Sequence, residues 1–492
     1  MTNSYLKLQT YRAAFWSFAD AVGSRLVHFV IGIVLARLLL PEQFGLIAML
    51  TIFMAIAQSL LDSGFGSALV QKKDVTETDT SSVFYLNVFI SLILAVILCL
   101  VSPLIANFYG QSELLPITQA MSVVVIINSF VVVQQAMLTR KMDFKIQAKV
   151  SLIAGIASGG FGISMAYNGY GVWSLVVQQI TAALFRAIFL WLYNPWRPKL
   201  LFSFHALREM FSFGSRMLVS GLLNQIFNNL YYVVIGRLFS PVALGFYFRA
   251  RTLAEMPSAT LSGIVTRVSF PVFSSIQDDD ARLKRALRKA LGMLIFINAP
   301  VMIGLAVVAK SLVLVLLTEK WLPCVPYLQL LCIVGLLLPL HTLNLNILMA
   351  KGRSDLFLRL EIIKKVLLVL NIAILWRWGI VPIIGGQMVL SVLAFFLNSY
   401  YTGKLLNYNA FAQIKDVAIY CVLALIMGVV VHLVEYLPVM NAALLLVVQI
   451  MLGMVVYLLM SKFFNPPAFS EAWYAIRHKI AIHKMQTREK NL

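Results

Sequence analysis

At 492 residues, 60% hydrophobic and only 12% charged, with a mean hydropathy of +0.86, the chain is too apolar to fold as a water-soluble protein. Its net charge of +20 does not indicate a nucleic-acid binder, because the basic residues fall in short clusters between hydrophobic runs, as in the cytoplasmic loops of a polytopic membrane protein. Composition therefore leaves an all-α integral membrane protein.

Lys7 and Arg12 precede an apolar run of roughly 25 residues, too long for a signal-peptide core and without a small-residue cleavage site, so this run is the first predicted transmembrane helix. Predicted spans follow near 13–39, 43–61, 82–108, 114–138, 147–167 and 170–194. Six more lie near 211–238, 243–265, 287–308, 324–349, 360–378 and 380–402, and a last pair near 416–437 and 440–462, fourteen in all. The loop from Leu61 to Ser81 is amphipathic and reads as an interfacial segment or a solvated loop. The tail beyond Pro467, with Arg477, Lys479, Lys484, Arg488 and Lys490, is expected on the anionic cytoplasmic leaflet or as a plain disordered tail.

The charges test the count. With both termini inside, about 29 Lys and Arg fall in inside loops and tails, about 5 outside and about 6 within helices. Six spans being even, the two sets of six enter the membrane from the same side and form parallel repeats. The expected organisation is an N-terminal six-helix bundle over 1–195, a second over 196–403, an additional helix pair over 404–464 and a basic cytoplasmic tail over 465–492.

An internal duplication supports this division. Arg37-Leu-Leu-Leu-Pro41-Glu-Gln-Phe-Gly45 returns 200 residues later as Arg237-Leu-Phe-Ser-Pro241-Val-Ala-Leu-Gly245. Arginines at the outer surface, proline at a helix start and glycine at a close approach give this motif a mostly structural reading.

Ionisable residues inside a span are costly and mark cavities or partners. On the first helix Asp20, Arg25 and His28 share, with Ser17 and Ser24, an arc of roughly 140° at 100° per residue. At the 200-residue offset Asp20, Ser24, Arg25 and His28 correspond to Ser220, Asn224, Gln225 and Asn228, all polar, and Arg216 joins the same side of the seventh helix. Such stripes suit a hydrophilic cavity between two bundles, or else polar contacts between helices. Arg249, Arg251 and Glu255 lie on the eighth helix, where Arg251 and Glu255 are four apart and able to pair. Arg186 and Arg267 lie near the inner boundary, where snorkelling explains them. The positive balance suits an anionic, phosphorylated ligand. The expected substrate-binding set is Arg25, Arg216, Arg249, Arg251, Asn224 and Asn228, with Asp20, Glu255 and His28 completing the network or carrying a coupling proton.

Enzyme signatures are absent: there is no His-Glu-x-x-His, phosphate-binding loop or nucleophile elbow. The histidines are dispersed, and Cys99, Cys324, Cys332 and Cys421 lack paired ligand spacing. No metal, cofactor or catalytic residue is expected.

Five segments carry a resemblance: Ala36-Arg37 to Phe44-Gly45, Asp62-Ser-Gly-Phe-Gly-Ser-Ala-Leu-Val-Gln71, Phe270-Pro-Val-Phe-Ser-Ser-Ile-Gln-Asp278, Glu319-Lys-Trp321 and Leu328-Gln-Leu-Leu-Cys-Ile-Val-Gly335. In this order they are similar to the Wzx-type polysaccharide flippases of the multidrug/oligosaccharidyl-lipid/polysaccharide superfamily, in the branch handling colanic-acid and teichuronic-acid units. The resemblance implies export of an undecaprenyl-diphosphate-linked oligosaccharide across a bacterial inner membrane, with membrane lipids and the polysaccharide polymerase machinery as further partners and no nucleic acid. A multidrug antiporter of the same superfamily and a membrane polysaccharide polymerase are the alternatives. The positive balance disfavours the first and the short loops disfavour the second.

Overall fold

The computed structural model describes residue 16 and residues 22–62, 64–436, 441–471 and 473–474, without the side chains of 212–214 and 216–217. No strand occurs among the described residues. Helix α1 covers 22–38. It is followed by α2 (Pro41–Asp62), α3 (Phe65–Gln71), α4 (Glu77–Tyr109), α5 (Leu114–Arg140), α6 (Phe144–Tyr167), α7 (Trp173–Tyr193), α8 (Phe204–Leu238) and α9 (Pro241–Ser275). Then come α10 (Asp280–Val307), α11 (Ala309–Leu317), a 3₁₀ turn (Glu319–Cys324), α12 (Val325–Ala350), α13 (Ser354–Leu375), α14 (Ile380–Leu406), α15 (Ala410–Leu433) and α16 (Ala442–Phe464).

Eleven helical stretches among the described residues are long and apolar enough to cross a membrane. Helices α1, α9 and α13 are outside that set for identifiable reasons. Only seventeen contiguous residues of α1 are described, while α9 carries Arg249, Arg251, Glu255 and Arg267, and α13 carries Arg359, Glu361, Lys364 and Lys365. The chain is a multi-pass membrane protein in which α9 and α13 carry more charged residues than the apolar spans.

Helix starts follow local chemistry. At α4, Thr76 Oγ1 accepts from Asp79 N–H at 3.1 Å while Asp79 accepts from Thr76 N–H at 2.9 Å, a reciprocal capping box. Asp143, Ser203, Asp279 and Asn409 cap α6, α8, α10 and α15 through single side-chain acceptors. Gly110, at φ +66°, closes α4 in the left-handed region.

The chain divides into two compact units, Met1–Phe248 and Arg249–Leu492. In the first, α4 packs on α5, α6 on α7, α5 on α7 and α2 on α8. An aromatic seam fastens the ends of three of these helices: Phe84 meets Phe130, Trp191 and Trp196 edge-on at 5.8–5.9 Å. The indole N–H groups are satisfied, Trp191 donating to Phe130 O at 2.9 Å and Trp196 to Thr80 Oγ1 at 3.2 Å. Beside this seam Lys72 bridges Asp79 and Glu209 at 3.0 Å each. Partial burial pulls the Lys72 pKa down, but Glu209 and Asp79 outweigh it and raise the pKa above the ordinary lysine value.

The duplicated turn is part of the first unit, and there its two copies meet. A Cβ on Gly45 would stand 1.8 Å from the Pro241 carbonyl oxygen, and one on Gly245 1.9 Å from that of Pro41. The contact is reciprocal, backbone against backbone. The glycines of the motif are there because only hydrogen fits.

In the second unit Leu283, Leu287, Leu291 and Ile295 form an i, i+4 stripe on α10, buried with Leu343 and Ile347 of α12 and with Tyr420, Ala424 and Met427 of α15. Three helices converge on the Gly335 carbonyl, which accepts from Ser258 Oγ at 2.5 Å and Asn298 Nδ2 at 3.1 Å. Deeper polar order comes from a reciprocal amide pair: Asn344 and Gln413 each donate to the other at 2.9 Å, and both are fully buried. Asn344→Leu should cost about 1–3 kcal/mol by stranding the Gln413 amide. Thermal unfolding of the detergent-purified variant reads this, and an unchanged midpoint would contradict it.

Candidate functional site

Helix α2 stops at Asp62 and the chain restarts at Phe65, with Gly64 in the left-handed region at φ +71°. This break interrupts an otherwise continuous apolar span, Pro41–Gln71, and it exposes two different faces. Gln58 and Asp62, four apart, point to one side and Leu60 to the other, as a 100° step requires.

On the first side lies a cavity of about 610 Å³, lined by the break itself and by α5 and α7. Its polar groups are connected. Asn128 donates to Gln58 Oε1 at 2.8 Å and Gln58 to Asp62 Oδ1 at 3.1 Å. Arg186 donates to Gln135 Oε1 at 2.7 Å, and Gln147 to Thr139 Oγ1 at 3.0 Å. Among its lining residues are one carboxylate, Asp62, and one guanidinium, Arg186. On the second side lies an apolar groove of about 560 Å³, bordered by Leu60, Phe65, Ile90, Leu94, Phe211 and Leu218, with Arg208 among its lining residues. One broken helix thus separates a wet chamber from a hydrocarbon-lined groove.

The residues singled out in sequence are distributed as follows. Asp20 lies outside the described residues, as does the side chain of Arg216 on α8. Arg25 and His28 are exposed on α1, where His28 Nδ1 lies 2.7 Å from Ser24 O, and the His28 ring stands beside Gly155 of α6. Asn224 and Asn228 are exposed one turn apart on α8.

In the second unit Arg249 is only 6% exposed and holds its guanidinium 5.6 Å from the ring centre of Trp321, itself fully buried. A cation seated on an indole face is well stabilised away from water. Arg251 does pair with Glu255, at 2.6 Å. Two residues apart, Arg249 and Arg251 point to opposite sides of α9.

Asp62, Gln58, Asn128 and Gln135 were missed as site residues in sequence, and Arg186 was read there as snorkelling. Their signal is the spacing: Gln58–Asp62 at i, i+4 on α2, and Asn128–Gln135–Thr139 at i, i+7, i+11 on α5, each one face of a helix. Arg186 turns to Gln135 and the chamber. No group of three or more His, Cys, Asp or Glu residues able to hold a metal occurs among the described residues.

Comparison with known proteins places this geometry. A family model described as polysaccharide biosynthesis protein matches residues 34–326. The chain is 32% identical over 302 residues to the teichuronic acid biosynthesis protein TuaB of Bacillus subtilis (strain 168), covering 61% of this chain and 62% of that protein's length. It is 29% identical to the lipopolysaccharide biosynthesis protein WzxC of Escherichia coli (strain K12), over 84% of this chain and 82% of that one. Among solved structures the fold is similar to that of the lipid II flippase MurJ in its inward closed conformation, with a TM-score of 0.76 at 15% identity, covering 92% of this chain and 98% of that one.

Proposed function

Because the chain belongs to the polysaccharide biosynthesis protein family, we propose that it is a flippase carrying polyprenyl-diphosphate-linked oligosaccharide from the inner to the outer leaflet of a bacterial inner membrane. The observation that carries this reading is the broken helix, with a polar chamber of about 610 Å³ on one side and an apolar groove of about 560 Å³ on the other. A lipid-linked sugar has the same division, a hydrated head and a hydrocarbon tail. Each half on its own meets the wrong solvent somewhere in a bilayer, and a fold offering both environments lowers the barrier to crossing.

In this reading the fourteen-span arrangement, with cytoplasmic termini and two parallel six-helix repeats, works by alternating access. The arginines expected from sequence, Arg25 and Arg216 in the first unit and, separately, Arg249 and Arg251 in the second, are the cations available to an anionic head group, and Asn224 and Asn228 add polar groups on α8. Asp20, Glu255 and His28 complete the network or take a coupling proton. The chemistry asked of the protein is positioning and charge matching, and no bond is made or broken. The reading is supported by the relatives, one a teichuronic acid and the other a lipopolysaccharide biosynthesis protein.

Deletion of the gene should cause lipid-linked, unpolymerised repeat units to build up on the inner leaflet, identified by mass spectrometry of extracted lipids and placed by their protection from a membrane-impermeant glycan oxidant added to intact spheroplasts before extraction. Normal polymer with no such intermediate would overturn the reading. Accumulation on the outer leaflet would instead indicate a polymerase.

A further inference from the structure

We propose that the polar chamber beside the α2 break is a glycan subsite, taking a neutral, hydroxyl-rich sugar residue of the transported lipid rather than its diphosphate. This rests on the flippase reading and adds to it where the sugar is held.

Three observations carry the assignment. The chamber is lined by a single guanidinium, Arg186, already engaged with Gln135, and by a carboxylate, Asp62, which is not the cluster of free cationic donors that a diphosphate needs. Its groups mix both hydrogen-bonding roles: the Asp62 carboxylate only accepts, Arg186 only donates, and the amides of Asn128 and Gln135 and the Thr139 hydroxyl do both. An anion needs donors and a bare cation needs acceptors, whereas a sugar hydroxyl donates and accepts at once and matches a mixed set. Finally, the amides are already held in place, Asn128 through Gln58 and Gln135 through Arg186, so little side-chain freedom remains to be lost on binding. A volume near 610 Å³ falls within the ordinary range for small-molecule sites.

The chamber's position adds a physical reason for the break. A straight α2–α3 helix would turn Ser67 away from Asp62 by five steps of 100°. With Gly64 reversing the backbone, Ser67 lines the same cavity as Asp62. The glycine-rich segment after Asp62 therefore builds the chamber wall.

The test uses the full-length protein in proteoliposomes and two probes: the lipid-linked oligosaccharide extracted from a deletion strain, and undecaprenyl diphosphate without sugar. Wild-type protein should prefer the glycosylated lipid. Asp62→Asn and Asn128→Leu should each reduce that preference about tenfold, the loss of one hydrogen bond to a charged or fixed partner, with the affinity for the bare carrier unchanged. Retention of the wild-type ratio by both variants, or equal weakening of both probes, overturns the subsite. Should these variants not fold, Ser67→Cys supplies a second reading: the glycosylated lipid should slow alkylation of the introduced thiol and the bare carrier should not, and equal labelling rates with the two lipids overturn the proposal. Translocation is scored in the same vesicles. Glycan-selective binding without translocation overturns the flippase reading alone, and translocation without glycan selectivity overturns the subsite alone.

Discussion

Gly45→Ala should destabilise the protein by roughly 3 kcal/mol or more, because the added methyl lands on the peptide backbone of the other repeat copy. The Cβ would stand 1.8 Å from the Pro241 carbonyl oxygen, well inside van der Waals contact, and the obstacle is main chain that cannot rotate aside. Gly245→Ala should match it, since its Cβ would meet Pro41 O at 1.9 Å. Gly160→Ala is the control. Nothing lies within 4 Å of a Cβ there, so the change should be neutral or stabilising by about 0.5–1 kcal/mol, the gain in helix propensity. Thermal unfolding of purified protein ranks the three, and a Gly45→Ala midpoint equal to that of Gly160→Ala would refute the close crossing.

The second large effect is expected at Trp321. It is fully buried, and its indole face carries the Arg249 guanidinium at 5.6 Å. Trp321→Ala should cost about 3–5 kcal/mol, combining lost burial, a cavity and loss of the cation's seat. Arg249→Lys separates fold from transport. It keeps the charge but loses the planar fork that stacks on an aromatic ring and grips phosphate oxygens. Its unfolding midpoint should fall less than that of Trp321→Ala, while polysaccharide export should drop about tenfold if the guanidinium serves the diphosphate. Full export by Arg249→Lys, at wild-type protein levels, would assign Arg249 to the fold alone.

These two sites show how unevenly the structure was legible. The helices were visible because a membrane span needs about 20 apolar residues in sequence, a purely local demand. The duplicated turn was visible as a pattern, and its glycines were expected at close approaches. That each copy would be the other's obstacle was not, because the partner lies 200 residues away and contributes a carbonyl, which every residue type carries. Arg249 had no local partner in sequence for the same reason: Trp321 sits 72 positions on, in a 3₁₀ turn. Arg251 and Glu255 were legible as a pair because one helical turn joins them.

The chamber was partly legible. Gln58 and Asp62 share a face by spacing alone, as do Asn128, Gln135 and Thr139, but nothing local turns the two faces toward each other or brings Arg186 between them. Arg186 near a span's inner end reads in sequence as a snorkelling side chain, and only its hydrogen bond to Gln135 places it at the chamber.

The sequence by itself determined that this protein is a multi-pass helical membrane protein with a turn motif that recurs 200 residues on, since hydrophobic length, loop charge and motif offset are properties of contiguous residues. Only the tertiary structure decided where groups from different helices meet: Asn128 with Gln58, Arg186 with Gln135, Arg249 on Trp321, and Gly45 against Pro241. Side-chain facing is periodic and can be read along one helix, whereas the rotation and crossing of two helices follow from packing summed over both, which no local segment encodes.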